Sequence, residues 1–338
     1  MTPPAFELIH RDCIEWMNEQ PEKSIHAVVT SPPYNLNIGY GEYKDNHPYA
    51  DYLKWMQLVS SALKRILTDD GQVFVNMGYS NTQPWTAMDV AQIFRNDWVL
   101  QNQFTWVKHI LLHQQTYGIY KPIAGNRFVS PTTESIFHFT KTGNVSVDRC
   151  AIGHANHTHA TYPELYTEGR HIAILRRKAA KKLGYSTWVD FKSKATPTHQ
   201  KDFDALMEEY KRTQPWNPDK KKCIGNAWYI PYTPVSKLAS ELGTEGLGDS
   251  TSGRGGHPAT FPEQLPTMCL KFSGIPTGSV VYDPFSGTGT TVLAAVKLGM
   301  HGIGTDVDAK YLKFATRRVE MWQNDNNALP FIDSDTHL

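Results

Sequence analysis

Two short stretches of this sequence hold residues whose types and spacing could do chemistry. The first is VVTSPPYN, residues 28–35. It opens as a buried strand and stops at two prolines, which can donate no backbone hydrogen bond. The carbonyl within a Ser-Pro-Pro turn is an acceptor of fixed direction, and the hydroxyl of Ser31 is another. Tyr34, after Pro32 and Pro33, offers a ring on which a base that has left its stack could lie. Such acceptors suit the exocyclic amine of a nucleobase. That amine is a poor nucleophile because its lone pair is delocalised into the ring, and holding its hydrogens favours a pyramidal nitrogen. A proline-terminated strand with a core tyrosine remains the alternative for the stretch taken alone.

The second stretch is VVYDPFSGTGTTVLAAV, residues 280–296, with the order strand, acid, glycine turn, helix. Gly287 and Gly289 remove side chains where a backbone must approach a ligand closely. Thr288, Thr290 or Thr291 could cap the helix, whose free N–H groups favour an anionic group. The spacing fits neither the dinucleotide fingerprint nor the P-loop, since no lysine follows the last glycine. Further on, GIGTDVD puts Asp306 at a second strand end, where an acid can accept from ribose hydroxyls. Asp283, the glycine turn and Asp306 together point to a nucleoside-bearing cofactor. A tight turn with a surface acid is the alternative.

Elements that could position these turns alternate along residues 1–145. AFELIHRD, SIHAVVT, QVFVNMG and SIFHFTK read as strands, and CIEWMNEQ as a helix. YADYLKWMQLVSSALKRILTDDG predicts a long amphipathic helix, with Leu53, Met56, Leu63 and Leu67 near helical spacing and Gly71 as its stop. Alternating strands and helices imply a mostly parallel sheet covered on both faces. The polar stretch NLNIGYGEYKDNHPY, after Tyr34, reads as a lid or a passive loop. Residues 226–256 read as loop or linker, residues 270–320 return to strand and helix, and the last dozen form a tail.

Composition sets limits on function. The 338 residues carry a net charge of +1, so any surface for nucleic acid must be local. Residues 168–222 are such a region: 14 Lys and Arg face 7 Asp and Glu, with Tyr185, Trp188, Tyr210 and Trp216 interleaved. The four cysteines, Cys13, Cys150, Cys223 and Cys269, have no paired spacing. This argues against a disulfide framework or a zinc knuckle and fits a reducing cytosol. His154, His157 and His159 lack ligands at metal spacing and read as a polar loop, so no metal is expected. No signal peptide and no membrane-spanning run is evident, and a cytoplasmic location is expected.

TSPPYN early and DPFSGTGTT late resemble the DNA amino-methyltransferases, in the permuted motif order called the β group. HRDCIEWM resembles the family segment whose acid, here Asp12 beside Cys13, contacts the cofactor adenine. GQVFVNMG and TTESIFHFTKTG resemble two further family strands. GGHPATFPEQLP resembles the segment completing the methionine pocket, with His257, Pro258, Ala259 and Phe261 at matching positions. The resemblance implies S-adenosylmethionine as cofactor. Asp283, Phe285 and the turn Gly287, Thr288, Gly289 and Thr290 would hold its methionine part, and Asp306 its ribose. It also implies an α/β, Rossmann-like methyltransferase fold with a mostly parallel seven-stranded sheet and an inserted small, mainly helical target-recognition region. Residues 1–145 would be the catalytic half, 146–225 the target-recognition insertion, 226–325 the cofactor half and 326–338 the tail.

Within that family, serine before Pro-Pro-Tyr usually accompanies cytosine-N4 methylation and aspartate usually accompanies adenine-N6. Ser31 points to cytosine N4 in DNA, by direct in-line transfer to a flipped base. Adenine N6 on the same scaffold is the alternative, and a DNA-binding module with a dead active site is the rival from another class. C5 methylation needs a nucleophilic cysteine, typically after a proline, and none here follows one. The expected partners are double-stranded DNA and a cognate restriction endonuclease. Monomer and homodimer both stay open. Arg176, Arg177, Lys178, Lys181 and Lys182 are spaced to share a helix face and engage phosphates.

Overall fold

β1 (Phe6–His10) and β2 (Ile25–Thr30) follow one another in the chain, with α1 (Cys13–Glu19) between them, yet two other strands separate them in the sheet. A computed structural model describes residues 5–39, 42–112, 115–118, 127, 129, 131–155, 168–213, 221–222, 225–231 and 261–327. After β2 come α2 (Tyr49–Ile66), β3 (Leu67–Met77), α3 (Thr86–Phe94), β4 (Val99–Leu112), β5 (Gln115–Gly118) and β6 (Thr133–Thr140). Then follow β7 (His154–Ala155), α4 (Glu168–Lys182), α5 (Trp188–Lys194), α6 (Pro197–Thr213), β8 (Lys221–Lys222) and β9 (Ala227–Pro231). The chain closes with α7 (Gln264–Ser273), β10 (Val280–Asp283), α8 (Thr290–Lys297), β11 (His301–Asp306) and α9 (Ala309–Asn327).

Contacts divide the chain into two compact units, Met1–Asp148 with Gly225–Leu338, and Arg149–Ile224. The first holds a sheet in the order β1-β11-β10-β2-β3-β6-β4-β5, with β9 also on β4. Pairing is parallel from β1 through β3, and β6 runs antiparallel between β3 and β4. The fold class is therefore α/β with a mostly parallel sheet. It has nine strands among the described residues, where seven were expected. The difference lies at one edge. β4 is 14 residues long, so β9 pairs along Thr105–His109 and β5 along its last residues.

β9 falls in the stretch expected to be loop. Its AWYIP alternates, burying Trp228 and Ile230 completely, and five residues among turn formers hid that pattern. Gly71 is also not a helix stop. α2 ends at Ile66 because Leu67 turns extended and pairs with Ile25, and Gly71 lies inside β3. The inward face of α2 (Tyr52, Met56, Val59, Leu63, Ile66) packs with Trp16, Met17, Val28 and Tyr282 in the main core.

The second unit packs α4, α5 and α6 around Leu175, Ala179, Phe191, Phe203, Met207 and Tyr210. Arg176, Arg177, Lys178, Lys181 and Lys182 are all exposed. They do not form one row. Arg176 lies over the Trp188 ring together with Lys192, while Lys178 and Lys182 lie over Tyr210. Helical spacing puts Arg176 on a different flank from Lys178 and Lys182, and each flank meets the ring beside it.

Candidate active site

β2 continues through α2 to β3 on one side, and its neighbour β10 continues through α8 to β11 on the other. Adjacent parallel strands whose connections diverge leave a crevice at their carboxyl ends. The two chemically suggestive turns sit there, one after each strand. A cavity of about 380 Å³ lies between them, lined by Ser31, Pro32, Pro33 and Tyr34 from one turn and Phe285, Ser286, Gly287, Thr288 and Thr290 from the other. Its size is that of a small-ligand site.

The glycine turn is wired through its backbone. The Asp306 carboxylate accepts from Gly287 N (2.8 Å) and Asp308 N (2.9 Å), and burial raises its pKa. Asp306 faces the cavity, and its remaining lone pairs fit ribose hydroxyls. Asp283 is placed differently. It is fully buried, is not among the lining residues, and accepts from Thr30 Oγ1 (2.7 Å) and Phe285 N (3.1 Å). Burial pushes its pKa up to about 6. This acid fastens the turn to β2.

Gly289 likewise serves the fold and is not among the lining residues. It has φ +73°, and an added Cβ would stand 2.7 Å from the Ala315 Cβ on α9. Gly289 is also the N-cap of α8, and no threonine side chain caps that helix. Thr291 Oγ1 donates to Val29 O (3.0 Å), and Thr290 Oγ1 accepts from Arg318 (3.0 Å).

Asp12 and Cys13 line the cavity's flank. Asp12 Oδ1 caps α1, accepting from Ile14 N (2.8 Å) and Glu15 N (3.1 Å), while burial raises the Cys13 thiol pKa. Phe261 reaches the cavity too, whereas His257, Pro258 and Ala259 lie outside the described residues, as do His157 and His159. The segment after Tyr34 is folded about Asp45, whose carboxylate accepts from the backbone N–H of Asn35, Leu36 and Ile38. Leu36, Ile38 and Tyr43 from this segment form one apolar wall, with Trp55 against Phe285.

The Ser-Pro-Pro-Tyr turn is wired through side chains. Tyr52 donates to the Pro33 carbonyl (2.9 Å), fixing the turn from α2. The Ser31 and Tyr34 hydroxyls are 2.9 Å apart, and Tyr34 Oη also reaches Glu134 Oε2 (3.2 Å) and Asn76 O (3.3 Å). Asn76 Nδ2 donates to Glu134 (2.6 Å) and Tyr34 (3.0 Å), and Lys108 pairs with Glu134. Glu134 and Lys108 escaped the sequence reading because they come from β6 and β4. Their only local signal is a charge inside each otherwise uncharged strand core. Asn76, in the strand QVFVNMG, reads from sequence either as a pocket residue or as part of a strand-end turn, and it lines the cavity.

The cavity can therefore hold an extended ligand with hydroxyl and zwitterionic ends on one side and a flat, amine-bearing ring on the other. Ser286 Oγ, buried at the wall, has no hydrogen-bond partner among the described residues, which fits a polar ligand atom beside it.

Comparison with known proteins finds a matching family and similar folds. The N6_N4_Mtase family profile, described as DNA methylase, matches residues 25–317. The Type II methyltransferase M.ScaI of Streptomyces caespitosus is 23% identical over 93% of this chain and 81% of its own length. The DNA adenine methyltransferase YhdJ of Escherichia coli K12 is 20% identical over 94% of this chain and 83% of its own. Among solved structures, the PvuII DNA methyltransferase (cytosine-N4-specific) superposes with a TM-score of 0.57 at 16% identity, covering 99% of this chain and 91% of that one. The putative DNA modification methylase TTHA0409 of Thermus thermophilus, solved with S-adenosyl-L-methionine, gives 0.51 at 20% identity, covering 98% and 100%.

Proposed function

The chain belongs to the DNA methylase family, and from that premise we propose that it transfers a methyl group from S-adenosylmethionine to the exocyclic N4 amine of cytosine in double-stranded DNA. The observation that carries the reading is Ser31 at the head of a rigid Pro-Pro turn, opening onto the same cavity as the glycine turn. When bound, S-adenosylmethionine supplies an electrophilic methyl on a positively charged sulfur. Asp306 would hold the ribose hydroxyls, and Asp12 the adenine side. Phe285, Ser286, Gly287 and Thr288 would hold the methionine end, with the Gly287 region also fixed by Asp306.

Ser31 Oγ and the Pro32 carbonyl take the two hydrogens of a flipped target amine, and the Tyr34 ring supports the base. Holding the nucleophile in line with the methyl supplies much of the acceleration. The methylated nitrogen then sheds one hydrogen as a proton, so no covalent enzyme intermediate and no metal is needed. The second unit would contact DNA, through Arg176 on one flank and Lys178 and Lys182 on the other. Type II relatives such as M.ScaI support a place beside a restriction endonuclease that cuts the same site.

Adenine N6 is the second reading, favoured by the relative named as an adenine methyltransferase. Nucleoside mass spectrometry decides between them, on unmethylated genomic DNA incubated with the protein and S-adenosylmethionine. N4-methyldeoxycytidine is the expected product. N6-methyldeoxyadenosine would transfer the mechanism to adenine, and no methylated base would overturn the enzyme reading.

A further inference from the structure

Serine is an ambiguous choice for holding an amine, because a hydroxyl donates as readily as it accepts. An amine needs acceptors only. The side chains behind Ser31 remove the ambiguity. Glu134 is largely buried, with 11% of its side chain exposed, and it is paired with Lys108. As a carboxylate it can only accept. Asn76 therefore turns its Nδ2 toward Glu134 at 2.6 Å, since the opposite flip would set oxygen against oxygen. Tyr34 gives its single proton to Glu134 and accepts from Asn76. The Ser31 proton then goes to Tyr34 at 2.9 Å, and since Asn76 Nδ2 reaches one Ser31 lone pair at 3.5 Å, the other is left for a ligand in the cavity. The same flip leaves Asn76 Oδ1 as a buried acceptor with no partner among the described residues, on a residue that lines the cavity. Gly78 makes room for this packing: a Cβ there would stand 2.8 Å from the Tyr34 ring and 3.1 Å from Glu134 Oε1.

We propose that Glu134, held by Lys108, is the positioning residue that fixes the proton of the Ser31 hydroxyl, so that Ser31 meets the target amine as an acceptor. This deepens the amine-methylation reading and rests on it. The pocket would select a base edge bearing an NH₂ and reject one bearing a carbonyl at that position, because carbonyl oxygen against the Ser31 lone pair and the Pro32 carbonyl has no proton to share.

The test uses the full chain, with DNA methyl transfer, S-adenosylmethionine affinity and thermal melting measured together. Glu134→Gln should cut kcat about 100-fold, the scale of one lost preorganised hydrogen bond, while cofactor Kd and melting hold. Its amide would give its carbonyl to Lys108 and its NH₂ to Asn76, flipping Asn76, so that Tyr34 loses the carboxylate that takes its proton and the Ser31 proton is no longer fixed. Adding Asn76→Asp restores a carboxylate beside the Tyr34 hydroxyl to take its proton, so the double variant should recover at least tenfold of that loss. Asn76→Asp alone sets two carboxylates together and should be as impaired as Glu134→Gln. Unchanged kcat in Glu134→Gln would overturn the proposal. So would absence of rescue, or a loss that follows melting or cofactor affinity. If the wild-type protein methylates no amine, the functional reading itself fails, and that result is seen before any variant is made.

Discussion

The two turns that meet at the cavity are built from different materials. The glycine turn after β10 relies on backbone: N–H groups of Gly287, Phe285 and Asp308 are locked to two carboxylates, and Gly289 sets its path. The Ser-Pro-Pro-Tyr turn after β2 relies on side chains drawn from three adjacent strands, through Asn76, Glu134 and Lys108. A backbone site offers one fixed shape to a ligand common to many enzymes. A side-chain site can be retuned one residue at a time, which would suit the place proposed for the target base.

This contrast predicts that damage to one turn moves quantities that damage to the other leaves alone. The largest effect is expected for Gly289→Ala. The substitution forces a left-handed backbone on a residue with a Cβ, about 1–2 kcal/mol, and crowds Ala315 for a further ~1–3 kcal/mol. Urea unfolding should register the loss, and calorimetry should find cofactor affinity reduced with it. Ser31→Ala should come next, lowering turnover about 100-fold with cofactor Kd unchanged. Turnover and affinity falling together in that variant would erase the distinction between the turns.

Asp283 gives a smaller, pH-dependent effect. Its folded-state pKa of about 6 lies above the ordinary 3.8, so between those values the folded protein holds a proton that the unfolded chain has released. Its contribution therefore falls as pH rises through that window and is level above it. Asp283→Asn keeps an acceptor for Thr30 and Phe285 and should flatten that part of the slope. Urea midpoints at the two ends of the window, compared with wild type, measure it. Smallest is the double change Lys178→Ala with Lys182→Ala on the second unit. Cofactor binding should not move, while the slope of log DNA affinity against log salt should become shallower by about two. An unaltered slope would take these lysines out of DNA contact.

What could be read from the sequence follows the same division. Each turn is contiguous, so strand, proline pair, glycines and acids stand in view, and β1, β2, β6, β10 and β11 show their periods. The ion pair Lys108–Glu134 could not be seen, because only the insertion of β6 between β3 and β4 brings residues 76, 108 and 134 together. Asp283 and Gly289 could be picked out as important, but not whether they face a ligand or hold the turn in place. That depends on Thr30 and Ala315, both distant in the chain. Gly71 misled for a related reason: a glycine after a helical run ends a helix by local rules, and here strand pairing of Leu67 with Ile25 acts first.

The sheet order has a consequence for how the protein is made. β1 and β2 emerge from the ribosome well before the two strands that belong between them, β10 and β11, are synthesised. Until Asp306 has emerged, the nascent chain must keep two parallel strand edges apart and unpaired. The partners of β2 and β1 are far off: His26 meets Val280, 254 residues away, and His10 meets Val307, 297 residues away. Such long-range pairing is slow to form and exposes edges meanwhile. Chaperone demand during translation should therefore be set by the interval between β2 and β10, and shortening the intervening segment should raise the soluble yield more than strengthening any single contact.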